Sequence, residues 1–253
     1  MSIKENSPTT IIVGGSSGSG RVMALRLAAK GHRVIVISRR AGVGFSDLGT
    51  QIVHMPADLS MRGDIERIAN DSAVPWASAQ SLLFFQRSRM VNSSWDDEIN
   101  VSLRATKEFI EVFAQASQSR VEKSIVLITS VAARWIAPEQ PVQYHVAKAA
   151  QQQMARFYAV SLASAGIRVN SVAPSSVLKP ESANFYLSSS DTMQMYQRSI
   201  PRGSIPTADE ICDVVEFLVS RHASAITGQE ITVDGGMSLL NQEAVARINS
   251  QLK

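Results

Sequence analysis

The feature that most limits how this chain can fold is an alternation of two kinds of segment. Short runs rich in β-branched residues are TTIIV (9–13), RVIVI (33–37), QIVHM (51–55), SLLFF (81–85), SIVLIT (124–129), RVNSVA (168–173) and EITV (230–233). Between them, apolar residues recur at helical spacing over 21–30, 64–70, 96–117, 142–165 and 209–219. A strand that is apolar at nearly every position must be covered on both faces, and the intervening helices are the available cover. The expected architecture is therefore α/β: one doubly wound domain over 1–253, with a seven-stranded parallel sheet flanked by helices. No Pro/Gly-rich linker divides the chain. Residues 175–206 lack a clear period and follow a strand, the position where lids and substrate loops are commonly built. The tail, 237–253, reads either as helical or as an exposed or interface segment.

Hydrophobic residues make up 45% and charged residues 19% of the 253, enough for a core and inconsistent with disorder. The net charge is +3 and the basic residues are scattered, which argues against a nucleic-acid partner. Cys212 is the only cysteine, so neither an internal disulfide nor a cysteine-based metal site is expected, and a reducing compartment fits. The first ten residues lack a secretory h-region and no apolar run approaches bilayer length. The expectation is a cytoplasmic protein without metal or membrane partner.

After the first strand the chain reads IIVGGSSGSGR. Gly14, Gly18 and Gly20 stand in GxxxGxG spacing between strand and helix. That placement suits a tight turn, close approach of backbone to a pyrophosphate, and a helix N-terminus aimed at it. Ser16, Ser17 and Ser19 add hydroxyls. The competing reading is a flexible serine–glycine turn. The second strand ends in ISRR: Ser38 stands where an acidic residue would hold the adenosine ribose, followed by Arg39 and Arg40. Guanidinium groups attract the 2′-phosphate that an aspartate would repel, so NADP(H) is favoured over NAD(H); the alternative is that one or both arginines are merely solvated. Asp58, with Leu59, follows the third strand and is placed to meet the adenine edge, or to cap a helix.

Residues 144–148 read YHVAK. Tyr144 and Lys148 are four apart and share a helix face. A free tyrosine, with a pKa of about 10, is a poor acid–base at neutral pH, and a lysine ammonium one turn away favours its phenolate. Ser130, just past a strand, is positioned to hold a substrate oxygen beside Tyr144.

With these pieces in view, the chain resembles the short-chain dehydrogenase/reductase family over essentially its whole length. The matching motifs are VGGSSGSG, ITSVA with Ser130, YHVAK, GIRVNSVAP and ITGQEITVDGG. The resemblance implies a Rossmann-type fold, a nicotinamide cofactor, hydride exchange between that cofactor and an alcohol/carbonyl pair, and a homo-oligomer, tetramer or dimer. It assigns Tyr144 the proton, Ser130 the carbonyl oxygen, and Lys148 the nicotinamide ribose.

The chain departs from the family pattern in places. The Asn-Asn-Ala-Gly turn after the fourth strand is here Phe84, Phe85, Gln86 and Arg87, with Phe85 then expected against the cofactor. An asparagine that joins a proton relay aligns with Ser102, whose hydroxyl can order a water; Asn100 is two residues away. The usual Pro-Gly is Pro174-Ser175, a carboxamide-contacting threonine aligns with Lys179, and the motif-opening threonine is Val13. Two readings follow. One is an active reductase of a ketone or aldehyde with a rebuilt pocket, in which Arg87, Arg89, Arg134 or Lys179 is available to an anionic substrate group. The other is a catalytically impaired NADP-binding homologue with a regulatory or structural role. Trp135 and Tyr186 are candidate pocket walls, with core or interface packing as the alternative.

Overall fold

The computed structural model describes residues 7–88, 94–117, 122–188 and 190–250. Seven strands are present: β1 (Thr9–Val13), β2 (Arg33–Ser38), β3 (Ile52–Pro56), β4 (Ser81–Phe84), β5 (Lys123–Ile128), β6 (Ile167–Pro174) and β7 (Glu230–Val233). They form one parallel sheet in the order β3-β2-β1-β4-β5-β6-β7. The α/β doubly wound architecture expected from the alternating segments is the one observed.

The near-continuous apolar strands divide their side chains between two cores with the period-two alternation of a pleated strand. Ile11, Val13, Ile35, Ile37, Leu82 and Phe84 enter one core, and Ile12, Val34, Val36 and Leu83 enter the other. Nine helices among the described residues cover the faces: α1 (Gly18–Ala29), α2 (Arg62–Ala69), α3 (Trp95–Glu98), α4 (Ala105–Gln115), α5 (Val142–Ser161), α6 (Ala183–Leu187), α7 (Ser190–Ser199), α8 (Ala208–Val219) and α9 (Gln242–Ser250). Helices α2, α4 and α5 close the first core with Ile65, Phe109, Phe113 and Tyr158, while α1 and α8 close the second with Met23, Leu27, Ile211 and Val215. Each fully buried Leu, Ile or Phe of this kind stabilises the fold by about 1.5–3 kcal/mol.

Three details lay outside what periodicity reveals. Helices α3 and α4 are joined by a π-helical turn over Ile99–Arg104, so a single rod carries a wide turn in the middle. Residues 175–206 contain α6 and α7, and the tail contains α9. The FFQR stretch splits across the sheet: Phe84 packs in the first core, Phe85 against the second.

Beside β1, the chain continues to β2 on one side and β4 on the other. Connections leave the sheet in opposite directions at this point, and the strand ends there open a crevice suited to ligands. No helix among the described residues is long and apolar enough to cross a membrane.

Candidate active site

The glycine loop is built by close contact with the end of β4. Gly14 N donates to Ile37 O (2.9 Å) and Phe85 N donates to Val13 O (2.8 Å), which ties the ends of β1, β2 and β4 together. Gly14 has φ +81, and a Cβ there would lie 2.4 Å from Gln86 N. A Cβ on Gly20 would lie 2.6 Å from Gly14 O and 2.9 Å from Phe85 Cβ. Only glycine lets loop, helix and strand end meet in this way. Helix α1 then opens without an acidic residue in its first turn.

A cleft of about 240 Å³ lies over this loop. Gly14, Ser16 and Ser17 form its floor, Ser38, Arg39 and Arg40 one wall, and Asp58, Leu59 and Phe85 the other. Arg39 and Arg40 are exposed and make no ion pair with any described residue. Ser38 is held in place: its hydroxyl donates to Arg40 O (2.9 Å), and His54 Nε2 lies 2.9 Å from Ser38 O. Asp58 Oδ1 accepts from Ser60 N (3.1 Å) and Ser60 Oγ (2.8 Å), while the N-cap position of α2 belongs to Met61, whose side chain makes no capping bond. A glycine cradle that no Cβ would fit and two guanidinium groups without an ion pair among the described residues make a donor set that fits a phosphate-bearing dinucleotide.

A second cleft, of about 100 Å³, holds Ser130, Tyr144 and Lys148 together, with Ser19 and Gly20 at its edge. Ser17, Phe85, Gln86 and Arg87 line both clefts. Ser130 Oγ accepts from Ala132 N (3.1 Å) and donates to Pro174 O (3.4 Å). The Tyr144 hydroxyl has no hydrogen-bond partner among the described residues, and two cations flank its ring: Arg87 Cζ at 5.6 Å and Lys148 Nζ at 5.8 Å from the centroid. His145 pins the start of α5, accepting from Ala137 N at Nε2 (3.0 Å) with Nδ1 3.1 Å from Pro141 O. That pattern places the ring proton on Nδ1.

Behind Lys148 the structure is closed by side chains. Lys148 Nζ donates to Ile128 O (2.8 Å) and to Gln151 Oε1 (2.9 Å), and Gln151 Nε2 donates to Ser102 O (2.9 Å). Thr106 Oγ1 also donates to Ser102 O (2.7 Å), so the carbonyl at the π-helical turn is met by two side-chain donors. The Ser102 hydroxyl donates to Glu98. Glu98, Ser102, Lys148 and Gln151 are all buried. Burial pushes the Lys148 ammonium down to about 8; Glu98 opposes that shift, and Arg87 and Lys179 add to it.

Sequence reasoning thus brought Ser130, Tyr144 and Lys148 to one cleft and most of the cofactor candidates to its neighbour. Two candidates sit elsewhere. Ser102 lines neither cleft, and its hydroxyl is engaged by Glu98 rather than available to a water. Gly18 lines neither cleft, and its N–H is taken by Glu181 Oε1 at 3.0 Å. Of the cations proposed for an anionic group, Arg87 and Lys179 line the second cleft. Arg134 is paired with Glu230 of β7 (3.1 Å), and Arg89 lies outside the described residues. Asn100 bonds Ser60 O (2.9 Å) and Arg104 Nε (2.8 Å). Trp135 is exposed and Tyr186 packs edge-on against Tyr196; neither lines a cleft. Glu98, Gln151, His54, His145 and Glu181 went unremarked in the sequence, because each acts through partners that only the fold brings near.

Known proteins resemble this chain in sequence and in fold. The family model described as enoyl-(acyl carrier protein) reductase matches residues 13–238. The 3-oxoacyl-[acyl-carrier-protein] reductase MabA of Mycobacterium tuberculosis is 28% identical over 92% of this chain and 94% of its own length. The (-)-isopiperitenol/(-)-carveol dehydrogenase of Mentha piperita is 24% identical over 94% and 96%. Among solved structures, a 4-hydroxyisoleucine dehydrogenase complexed with NADH superposes with a TM-score of 0.84 at 22% identity, over 93% of this chain and all of that one. A short-chain dehydrogenase/reductase family oxidoreductase from Burkholderia thailandensis does so with a TM-score of 0.80 at 25% identity, over 98% and 99%. With the family model matching residues 13–238, a range that includes every residue lining the two clefts, the chain belongs to the short-chain dehydrogenase/reductase family of oxidoreductases.

Proposed function

We propose that this chain is an NADP(H)-dependent reductase that converts a ketone or aldehyde to an alcohol. The observation that carries the reading is the meeting of Ser130, Tyr144 and Lys148 in one cleft that shares four lining residues with the glycine-loop cleft. Arg39 and Arg40 would receive the 2′-phosphate, Asp58 and Leu59 the adenine edge, and Ser16, Ser17, Ser19 and the glycine backbone the pyrophosphate. When bound, the reduced nicotinamide supplies the hydride. Tyr144 gives its hydroxyl proton to the carbonyl oxygen, Ser130 hydrogen-bonds that oxygen as charge develops on it, and Lys148 holds positive charge beside the tyrosine ring. Residues 175–206 act as the lid over this cleft. A stripe of exposed apolar side chains on α5, Val142, Val146, Phe157 and Val160, supports assembly into a homo-oligomer.

A second reading, an impaired NADP-binding homologue, draws on one observation: Gln151 joins Lys148 to Ser102 O directly, where a water would pass a proton. Tyr144→Phe separates the two. The reductase reading expects kcat to fall by about 10²–10⁴-fold while the dissociation constant for NADPH, read by fluorescence titration, stays the same. A wild-type protein that binds NADPH yet reduces no carbonyl compound supports the second reading, and a Tyr144→Phe protein with most of its activity overturns the proposed role of the tyrosine.

A further inference from the structure

Glu98 is a buried carboxylate to which the reaction described above gives no task. It ends α3 and is 2% exposed, whereas Asp96 is exposed and Asp97 closes the helix cap with Ser94. It forms no ion pair with any described residue, and its Oε1 accepts from the Ser102 hydroxyl one turn on. Taking a carboxylate out of water is costly unless positive charge compensates it.

The compensating charge stands across the π-helical turn. Ser102 presents its hydroxyl to Glu98 and its carbonyl oxygen to Gln151 Nε2 (2.9 Å), and Gln151 Oε1 accepts from Lys148 Nζ (2.9 Å). A buried acid and a buried ammonium thus sit at the two ends of one chain of hydrogen-bonded groups. An ammonium has three N–H donors. Lys148 spends two on Ile128 O and Gln151, which leaves the third for the cleft that it lines with Tyr144.

The groups that bear on Lys148 pull in opposite directions. Burial disfavours its charged form, and so do Arg87 and Lys179, which line the cleft in front of it; Glu98, behind it, favours that form. Tyr144, one turn away on α5, has its ring centroid 5.8 Å from Nζ. In a low-dielectric interior, charge is felt well beyond hydrogen-bond reach.

We infer that Glu98 is a positioning residue for the reaction, the buried counter-charge that, braced by Ser102 and Gln151, keeps Lys148 an ammonium beside Tyr144. The use of that charge rests on the reductase reading; the pairing itself does not.

The test is a pH titration, followed by NMR, of protein made with carbon-13-labelled lysine, the Lys148 signal being identified by its loss in Lys148→Arg. No substrate is needed. Wild-type Lys148 should titrate at about pH 8. Glu98→Gln keeps the side-chain shape and an acceptor for Ser102. It should lower the Lys148 midpoint by at least about half a pH unit, with the other lysines and the circular dichroism spectrum unmoved. The alkaline limb of kcat for carbonyl reduction should move down with it. If Glu98→Gln does not fold, Glu98→Leu combined with Ser102→Ala removes the charge, leaves the carbonyl of residue 102 to Gln151, and carries the same expectation. A Lys148 midpoint that stays or rises overturns the pairing. A midpoint that falls while the limb of kcat stays in place overturns the role in the reaction. A wild-type protein that reduces no carbonyl compound, while Glu98→Gln still lowers the midpoint, overturns the reductase reading and leaves the pairing standing.

Discussion

Glu181, on the segment after β6, accepts a hydrogen bond from Gly18 N, the first residue of α1, at 3.0 Å, and its carboxylate lies 3.5 Å from Arg21 Nε. The positive end of a helix with no acid in its own first turn is thus met by a side chain 163 positions away. Burial by itself would push this carboxyl up, but the Gly18 N–H and Arg21 more than offset it and hold it below the ordinary glutamate value. The helix N-terminus is where a phosphate would bind, so the chain carries its own occupant for that position.

Glu181→Gln removes the competing charge while keeping the side-chain length. NADPH should bind about tenfold more tightly, equivalent to about 1.4 kcal/mol, as read by fluorescence titration. Unchanged or weaker binding would show that Glu181 does not contest the phosphate position.

Arg39→Ala should weaken NADPH by about 10–100-fold, the scale of one or two lost charge-assisted hydrogen bonds, with NADH affinity hardly affected. Parallel titrations with both nucleotides check this. Equal losses for the two would mean that Arg39 does not read the additional phosphate.

Lys148, pushed down to about 8 chiefly by burial, is a cation below that pH and neutral above it. Carbonyl reduction that needs the cation should therefore decline as pH rises through about 8. Arg87 helps to depress this group, so Arg87→Gln should shift the alkaline limb of kcat to higher pH. A limb that stays in place or moves the other way rules out the electrostatic link between the two side chains.

Two glycines of similar φ separate backbone strain from crowding. Gly31 has φ +87 with nothing within 4 Å of a built Cβ, whereas Gly14 has φ +81 and meets Gln86 N at 2.4 Å. Gly31→Ala should cost about 1–3 kcal/mol of unfolding free energy from conformation alone and leave NADPH binding intact. Gly14→Ala should cost more and abolish binding. Urea unfolding and nucleotide titration measure both, and equal costs would mean that the loop can move away from β4.

How much of this was legible depended on how local each signal is. The bounds of β1 and β7 follow from the compact runs TTIIV and EITV, whose β-branched residues leave little choice of conformation. Tyr144 and Lys148 were legible because four residues on a helix fix their shared face. The π-helical turn at Ile99–Arg104 was not, since one extra residue in a turn hardly alters the apolar spacing of the flanking helix. Arg134 looked available in the sequence because its partner, Glu230, stands far along the chain on β7. Gln151 reads as one of three consecutive glutamines on α5, and only the position of the π-helical turn distinguishes it from Gln153, which is exposed.

Ser17, Phe85, Gln86 and Arg87 form the partition between the two clefts and belong to both. Substitutions deep in one cleft should combine additively with substitutions in the other, because they share no neighbours. A change at the partition touches both rooms at once, and its effect will depend on what has already changed in either. Residues 85–87 are therefore where the cost of a second substitution should depend most on the first, since a side chain that suits one room is also a wall of the other.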